Sequence, residues 1–216
     1  NQISKLNYFI MFGRRASIFI GCISCLLLVL FSDLLISLFE PTTEVTLKAN
    51  SYLILRSIGL PFYLLNMHST AVLRGMKHPK ITLYSSIIVG VSNVILSFVL
   101  AVVFDFGIQG IAIASSISFL ISALYSTKVL LNKQQQDDVS DVLVDKKEVS
   151  HKFFYVGFYI FVRSMFLTIF MAYLRNRASL MSMEEIALQH VLLQLWSFGY
   201  VFVDALAIAA QTLVSE

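Results

Sequence analysis

The sequence predicts an all-α membrane protein, built as a polytopic bundle of transmembrane helices. Hydrophobic residues make up 57% of its 216 residues and charged residues only 13%, against about 25% in soluble domains. The mean hydropathy is +0.79. Its apolar residues fall in long runs of the length that crosses a bilayer, about 20 residues. These observations exclude a soluble globular domain.

Six apolar runs follow one another along the chain, and they predict six transmembrane helices. They cover residues 16–39, 50–73, 81–103, 108–131, 153–174 and 184–214. The second run contains Gly59 and Pro61, so a kink is expected there because proline removes a backbone donor and crowds the preceding turn. The fourth carries small residues at four-residue spacing, which let helix backbones approach closely in lipid. These residues are Gly110, Ala114, Ser118 and Ser122.

The chain divides into three parts. Residues 1–131 hold the first four helices, 132–152 form a polar linker, and 153–216 hold the last two helices. If each helix crosses the membrane once, one side receives eleven lysines and arginines and the other side three. Because basic residues are enriched in cytoplasmic loops, the linker is predicted to be cytoplasmic.

A polar line runs along the last apolar run. His190, Ser197, Asp204 and Gln211 recur every seven residues, which returns to nearly the same helix face. Lipid does not tolerate such a line, so it must face a protein interior or a watery cavity. One interpretation is a buried hydrogen-bonding seam between helices. The other is that Asp204 handles an ion, a proton or a substrate.

Further polar residues lie inside other runs. Ser86, Gly90, Asn93 and Ser97 fall within about 40° of one line on a helical wheel, which indicates either a close-packing seam or a cavity wall. Arg163 lies eleven residues after Lys152, and Asp204 lies twelve residues before Glu216. Their depths therefore match, and we predict an ion pair that is either structural or a proton-controlled switch.

Several function classes find no support in the sequence. It contains no zinc-protease, serine-hydrolase, phosphate-loop or dinucleotide-binding signature, so no enzyme is expected. Cys22 and Cys25 have no neighbouring histidine or carboxylate to complete a zinc shell, so they are interpreted as packing residues. The loops lack interleaved basic and aromatic residues, so nucleic acid is not an expected partner. Neither a metal nor an organic cofactor is expected.

Two blocks of the sequence resemble the multidrug and toxic compound extrusion (MATE) family. Residues 52–84 look like that family's fourth helix and following loop. The shared residues there are Arg56, Gly59-Leu-Pro61-Phe62, Leu65-Asn66 and Arg74-Gly75. Residues 187–211 are similar to its eighth helix, through Gln194-Leu-Trp196 and the stretch from Asp204 to Gln211. Asn93 matches an asparagine of the fifth helix, and Arg163 an arginine of the seventh.

The match is closest to the branch that holds DNA-damage-inducible bacterial members and plant citrate exporters. The family has twelve helices in two lobes, so the resemblance implies that this chain holds helices three to eight. Residues 1–131 would be part of the N-terminal lobe and 153–216 the start of the C-terminal lobe. Ser97 stands where members often carry an acid, so the resemblance does not assign a coupling-cation site in the first lobe.

The resemblance implies a secondary antiporter that exports small organic solutes in exchange for H⁺ or Na⁺. Its cavity would be lined by Asn93, Ser97, Arg163, His190, Gln194, Asp204 and Gln211. Arg56 and Arg163 favour organic anions such as citrate, whereas Asp204 would suit cationic xenobiotics. The alternative is a flippase of the same superfamily that moves lipid-linked precursors. A monomer in the lipid bilayer is expected. The sequence does not predict which cellular membrane holds it.

Overall fold

The computed structural model describes residues 2–37, 43–136, 146–179 and 183–214, all of them in helices or short connections. The described part of the chain contains eight α-helices and one π-helical turn. They are α1 Gln2–Leu30, α2 Ser32–Ser37, α3 Thr43–Ser57, α4 Leu60–Gly75, α5 Pro79–Phe98, the π-helical turn Val99–Val103, α6 Gly107–Gln136, α7 Lys146–Ser179 and α8 Met183–Val214. The all-α prediction is confirmed.

Within the described residues, five helical segments are long and apolar enough to cross a membrane. They are Asn7–Leu30, Pro79–Val103, Gly107–Lys133, Phe154–Leu174 and Ala187–Ala207. The chain is therefore an integral, multi-pass membrane protein. The second apolar run is the exception, because it forms α3 and α4, of 15 and 16 residues. The break at Ile58 and Gly59 confirms the predicted kink, and a crossing by the α3–α4 pair stays a prediction.

The first helix differs from its prediction at both ends. It begins at Gln2 rather than near residue 16, and Arg14 and Arg15 lie within its membrane-spanning segment. Arginine is a good helix former and its long apolar stem can pack while the head reaches water, so these charges do not end the helix. The helix stops at Leu30, and a turn at Phe31 leads into the short α2.

The predicted linker is shorter than 132–152. Helix α6 continues to Gln136 and α7 begins at Lys146, so both helices extend into it. The chain divides into two compact units, residues 1–144 and 145–216, and this boundary falls inside the predicted linker. The cytoplasmic location of the linker stays a prediction. The two units are described separately below.

Hydrogen bonds show that α1 runs antiparallel to α3 and α4. Near its start, Ile10 O lies 3.1 Å from His68 Nε2. Near its end, Cys25 Sγ lies 3.7 Å from Ser57 Oγ. Asn50 Nδ2 donates to Asp33 Oδ1, at 2.7 Å, beyond the end of α1. The three levels fit one antiparallel register along the α3–α4 pair.

Helix α6 runs parallel to the α3–α4 pair, and α5 runs antiparallel to both. Ser116 Oγ bonds to Leu55 O at 3.3 Å, and Ser69 Oγ to Thr127 Oγ1 at 3.1 Å. Thr82 Oγ1, near the start of α5, donates to the carbonyl of Thr70 near the end of α4. The helices of the first unit therefore alternate in direction, as successive membrane crossings must.

The small-residue stripe of α6 packs as predicted. Ala114, Ser118 and Ser122 are fully buried. A β-carbon added at Gly110 would lie 2.7 Å from the carbonyl carbon of Leu100, closer than real contacts allow. A side chain larger than hydrogen would therefore push the start of α6 away from the π-helical turn that follows α5, which explains the glycine.

Candidate functional site

Polar side chains of the first unit meet in the groove between α5 and α6. Asn93 Nδ2 donates a hydrogen bond of 2.8 Å to Ser115 Oγ, and both residues are half-buried. One turn further along α5, the hydroxyl of Ser97 is buried and has no hydrogen-bond partner among the described residues. Most buried polar groups in proteins are satisfied, so this hydroxyl marks a place where water, an ion or a solute could bind.

The backbone next to Ser97 departs from the α-helix. Residues Val99–Val103 form a π-helical turn, in which Phe104 N donates to Val99 O at 3.0 Å. The chain then reverses through Asp105, at φ 58°, and Gly107, at φ 52°. A π-helical turn is rare and occurs often at functional sites. Here it lies two residues after Ser97.

The residues of the predicted polar face of α5 differ in burial. Asn93 and Ser97 are half-buried, but Ser86 and Gly90 are exposed, and no described atom lies within 4 Å of a β-carbon added at Gly90. The role of this face, as a close-packing seam or a cavity wall, stays a prediction. The buried serine is Ser85 instead. Ser85 and Asn93 both contact α6, although they lie about 80° apart around α5, because the line of contact shifts around the helix.

A second group of polar residues, the Asn66 cluster, joins α4, α5 and α6. It consists of Asn66, Ser85, Ser122 and Ser126. The hydroxyls of the three serines lie 3.0, 3.1 and 3.0 Å, respectively, from Asn66 Oδ1. Ser85 Oγ and Ser122 Oγ are also 2.7 Å apart. Three helices thus share one amide oxygen, and a satisfied buried network of this kind holds its members in a unique arrangement.

Arg56, in the last turn of α3, lies beside the groove between α5 and α6. Its Cζ lies 5.2 Å from the centroid of the Phe119 ring, within the range of a cation–π interaction. Tyr63 contacts the same ring in a T-shaped arrangement, with the ring centroids 5.0 Å apart. Phe119 follows Ser115 by one turn of α6, so Arg56 lies close to the Asn93–Ser115 pair along that helix.

In the second unit, the predicted site residues are on continuous helices but are not brought together. Arg163 of α7 and both Gln194 and Asp204 of α8 are exposed. The described residues contain no ion pair between Arg163 and Asp204, so the predicted pairing is absent from this structure. Helices α7 and α8 contact each other only sparsely. The structure does not describe the side chains of His190 and Gln211.

Sequence reasoning missed several residues of the first unit. Ser115 and Phe119 could have been found only by placing α6 against α5 and α3. Asn66 was recognised as part of the family resemblance but not as the centre of a cluster. Ser85 was passed over for its neighbour Ser86, and adjacent serines in an apolar run give no sign of which one is buried.

The fold and its polar interior define a polytopic membrane protein whose helices bury hydroxyl groups and hold amide groups and one guanidinium group half-buried between them. Residues 1–99 match the family model MatE. The chain is 24% identical over 203 residues to Protein DETOXIFICATION 43 of Arabidopsis thaliana, which covers 91% of this chain and 37% of that protein. These matches confirm the resemblance to the MATE family.

Two further relatives from Arabidopsis thaliana give the same result. Protein DETOXIFICATION 42 is 28% identical over 166 residues, which are 76% of this chain and 31% of the relative. The chloroplastic Protein DETOXIFICATION 45 is 27% identical over 183 residues, 82% of this chain and 31% of the relative. The chain thus spans about a third of the length of these curated relatives. No solved structure matches it.

Proposed function

We propose that the full-length protein is a secondary antiporter that exports small organic solutes in exchange for H⁺ or Na⁺. The similarity to the MATE family supports transport as the activity. In such two-lobe transporters the lobes move around a central site near mid-membrane. The observation that carries the proposal is the orphaned buried hydroxyl of Ser97, one turn from the Asn93–Ser115 hydrogen bond.

Organic anions such as citrate are the preferred substrates in this proposal. Two arginines support this preference. Arg56 lies in the second apolar run, and Arg163 in the fifth. Neither forms an ion pair with any residue that the structure describes. A guanidinium without a counter-charge in apolar surroundings is costly, and an anionic substrate would supply that charge.

The test uses full-length protein in liposomes with an imposed H⁺ or Na⁺ gradient. Radiolabelled citrate and radiolabelled tetraethylammonium are supplied in parallel. We expect gradient-driven movement of citrate. Movement of tetraethylammonium alone would show that the anion preference is wrong. Movement of a lipid-linked precursor without either solute would favour the flippase alternative.

A matched pair of variants connects the flux to the site. Asn93→Leu removes the amide that bonds to Ser115, whereas Val94→Leu changes a neighbouring side chain that is 70% exposed. We expect Asn93→Leu to lower the initial rate of citrate flux by about tenfold or more, as the loss of one good polar contact predicts. Val94→Leu should leave the rate unchanged. Equal effects of the two substitutions on the flux would show that transport does not depend on this groove.

A further inference from the structure

Arg56 is held within the membrane-spanning part of the first unit. Its neighbour Leu55 accepts a hydrogen bond from Ser116, so the last turn of α3 lies level with Ser116 of α6. Ser116 follows Gly107, the first residue of the α6 spanning segment, by nine residues, which is about 14 Å of helix. That segment has 27 residues, or about 40 Å of helix. The backbone at Arg56 therefore lies about a third of the way along the α6 spanning segment.

The guanidinium of Arg56 contacts an aromatic ring but has no hydrogen-bond acceptor among the described residues. Its Cζ lies over the Phe119 ring, and Tyr63 contacts the same ring in a T-shaped arrangement. Guanidinium has five N–H donors in its plane. Among the described residues, none accepts a hydrogen bond from these donors.

No carboxylate of the described first unit neutralises Arg56. The acidic side chains that the structure describes there are Asp33 and Asp105. Asp33 accepts a hydrogen bond from Asn50, and Asp105 lies in the turn before α6. Among the described residues, the positive charge of Arg56 is thus met only by an aromatic ring, which is a weak substitute for an anion in apolar surroundings.

Helices α3 and α5 both pack against α6 but not extensively against each other in the described part of the chain. Helices α4 and α5 meet at the hydrogen bond between Asn66 and Ser85. In the described part of the chain, α3 contacts α6 extensively but has no comparable contact with α5. Beyond the Asn66 cluster, the region between α3 and α5 is here called the wedge, with Arg56 on its α3 side and Asn93 on its α5 side. Helix α6 forms its back wall.

We propose that this wedge is a carboxylate subsite. In it, the Arg56 guanidinium, held flat by Phe119, donates two parallel hydrogen bonds to one carboxylate of a small organic acid. The planar fork of arginine matches a carboxylate in a way that the point charge of lysine does not. The Asn93–Ser115 pair, one turn along α6, provides neutral polar groups for a hydroxyl or a second carboxyl of the same molecule. This inference rests on the proposed function and assigns a residue to its substrate.

The experiment measures equilibrium binding of radiolabelled citrate to purified full-length protein in detergent, with no ion gradient. The variants are Arg56→Gln, which removes the charge, Arg56→Lys, which keeps it, and Phe119→Leu, which removes the stacking ring. Arg15→Gln is the matched control, because Arg15 is an exposed arginine of α1. We expect both Arg56 variants to weaken citrate binding by about tenfold to a hundredfold. Phe119→Leu should weaken it less, and Arg15→Gln should not change it.

Wild-type affinity in Arg56→Lys would overturn the inference, because it would show that charge alone is recognised. Displacement of citrate by inorganic phosphate as effective as that by succinate would overturn the carboxylate assignment. If Arg56→Gln does not fold, the citrate affinities of Arg56→Lys and Phe119→Leu test the subsite instead. Normal citrate binding and transport by all variants would overturn the subsite and leave the proposed function intact. Binding of tetraethylammonium but not citrate by the wild-type protein would overturn the proposed substrate class itself.

Discussion

Removal of the Asn66 side chain should test how much the Asn66 cluster stabilises the first unit. In Asn66→Ala three hydrogen bonds between helices are lost, from Ser85, Ser122 and Ser126. The serines have other acceptors within reach. Ser122 can donate to Ser85 O at 3.0 Å and Ser126 to Ala123 O at 3.4 Å. Ser85 can donate to Ser122 Oγ at 2.7 Å, so none of the three hydroxyls is left without an acceptor.

The cost should accordingly stay near the average for hydrogen bonds between membrane helices. At about 0.6 kcal/mol per bond, the loss of three bonds lowers the free energy of unfolding by about 2 kcal/mol. Ser85→Ala removes one of these bonds and the contact with Ser122, so it should cost about 1 kcal/mol. Ser86→Ala is the control, because Ser86 is adjacent but exposed.

The assay is reversible unfolding of the full-length protein in mixed micelles, with the free energy measured for each variant under the same conditions. The expected order of destabilisation is Asn66→Ala, then Ser85→Ala, then Ser86→Ala with no measurable effect. Equal costs for Ser85→Ala and Ser86→Ala would refute the assignment of Ser85 to the cluster. A cost of less than about 0.5 kcal/mol for Asn66→Ala would refute its role as the shared acceptor.

Two further predictions concern packing and topology. Gly110→Ala should lower the free energy of unfolding by about 1–3 kcal/mol, because the new β-carbon would meet the backbone of Leu100 and Ala101 in the π-helical turn. Gly90→Ala should have no such cost, because its β-carbon meets no described atom. Similar values for the two variants would contradict the close approach of α6 to this turn. A cysteine introduced at Gln135, at the end of α6, should react with an impermeant thiol reagent added from the cytoplasmic side, and reaction from the opposite side alone would invert the predicted topology.

The parts of the fold that depend on local chemistry could be predicted from the sequence. Pro61 lacks a backbone donor, so the break beside Gly59 follows from residue type alone. The stripe that begins at Gly110 follows from small residues at helical spacing. The start of α1 differs from the prediction because the apolar run begins only after Arg14 and Arg15, whereas a helix continues through charges whose stems can pack.

The parts that depend on how two helices cross could not be predicted. Whether Ser85 or Ser86 is buried depends on the angle between α5 and α6, which periodicity along one helix does not determine. The three bonds to Asn66 require the register of α4, α5 and α6 at once. Likewise, counting residues along α7 and α8 predicts similar depths for Arg163 and Asp204 but not which face each helix turns toward the other, and in the described part of the chain the two form no ion pair.

The break between α3 and α4 is completed by a residue of another helix. Gly59 N donates to Arg56 O at 3.2 Å, so the carbonyl of Leu55 loses its regular partner within the helix. The hydroxyl of Ser116 in α6 lies 3.3 Å from this carbonyl and 3.1 Å from Ala112 O of its own helix, so its one proton is shared between the two acceptors. Displacement of α6 along its axis by one turn would leave Leu55 O without this partner. The axial position of α6 and the bend between α3 and α4 are therefore coupled through a single hydroxyl group.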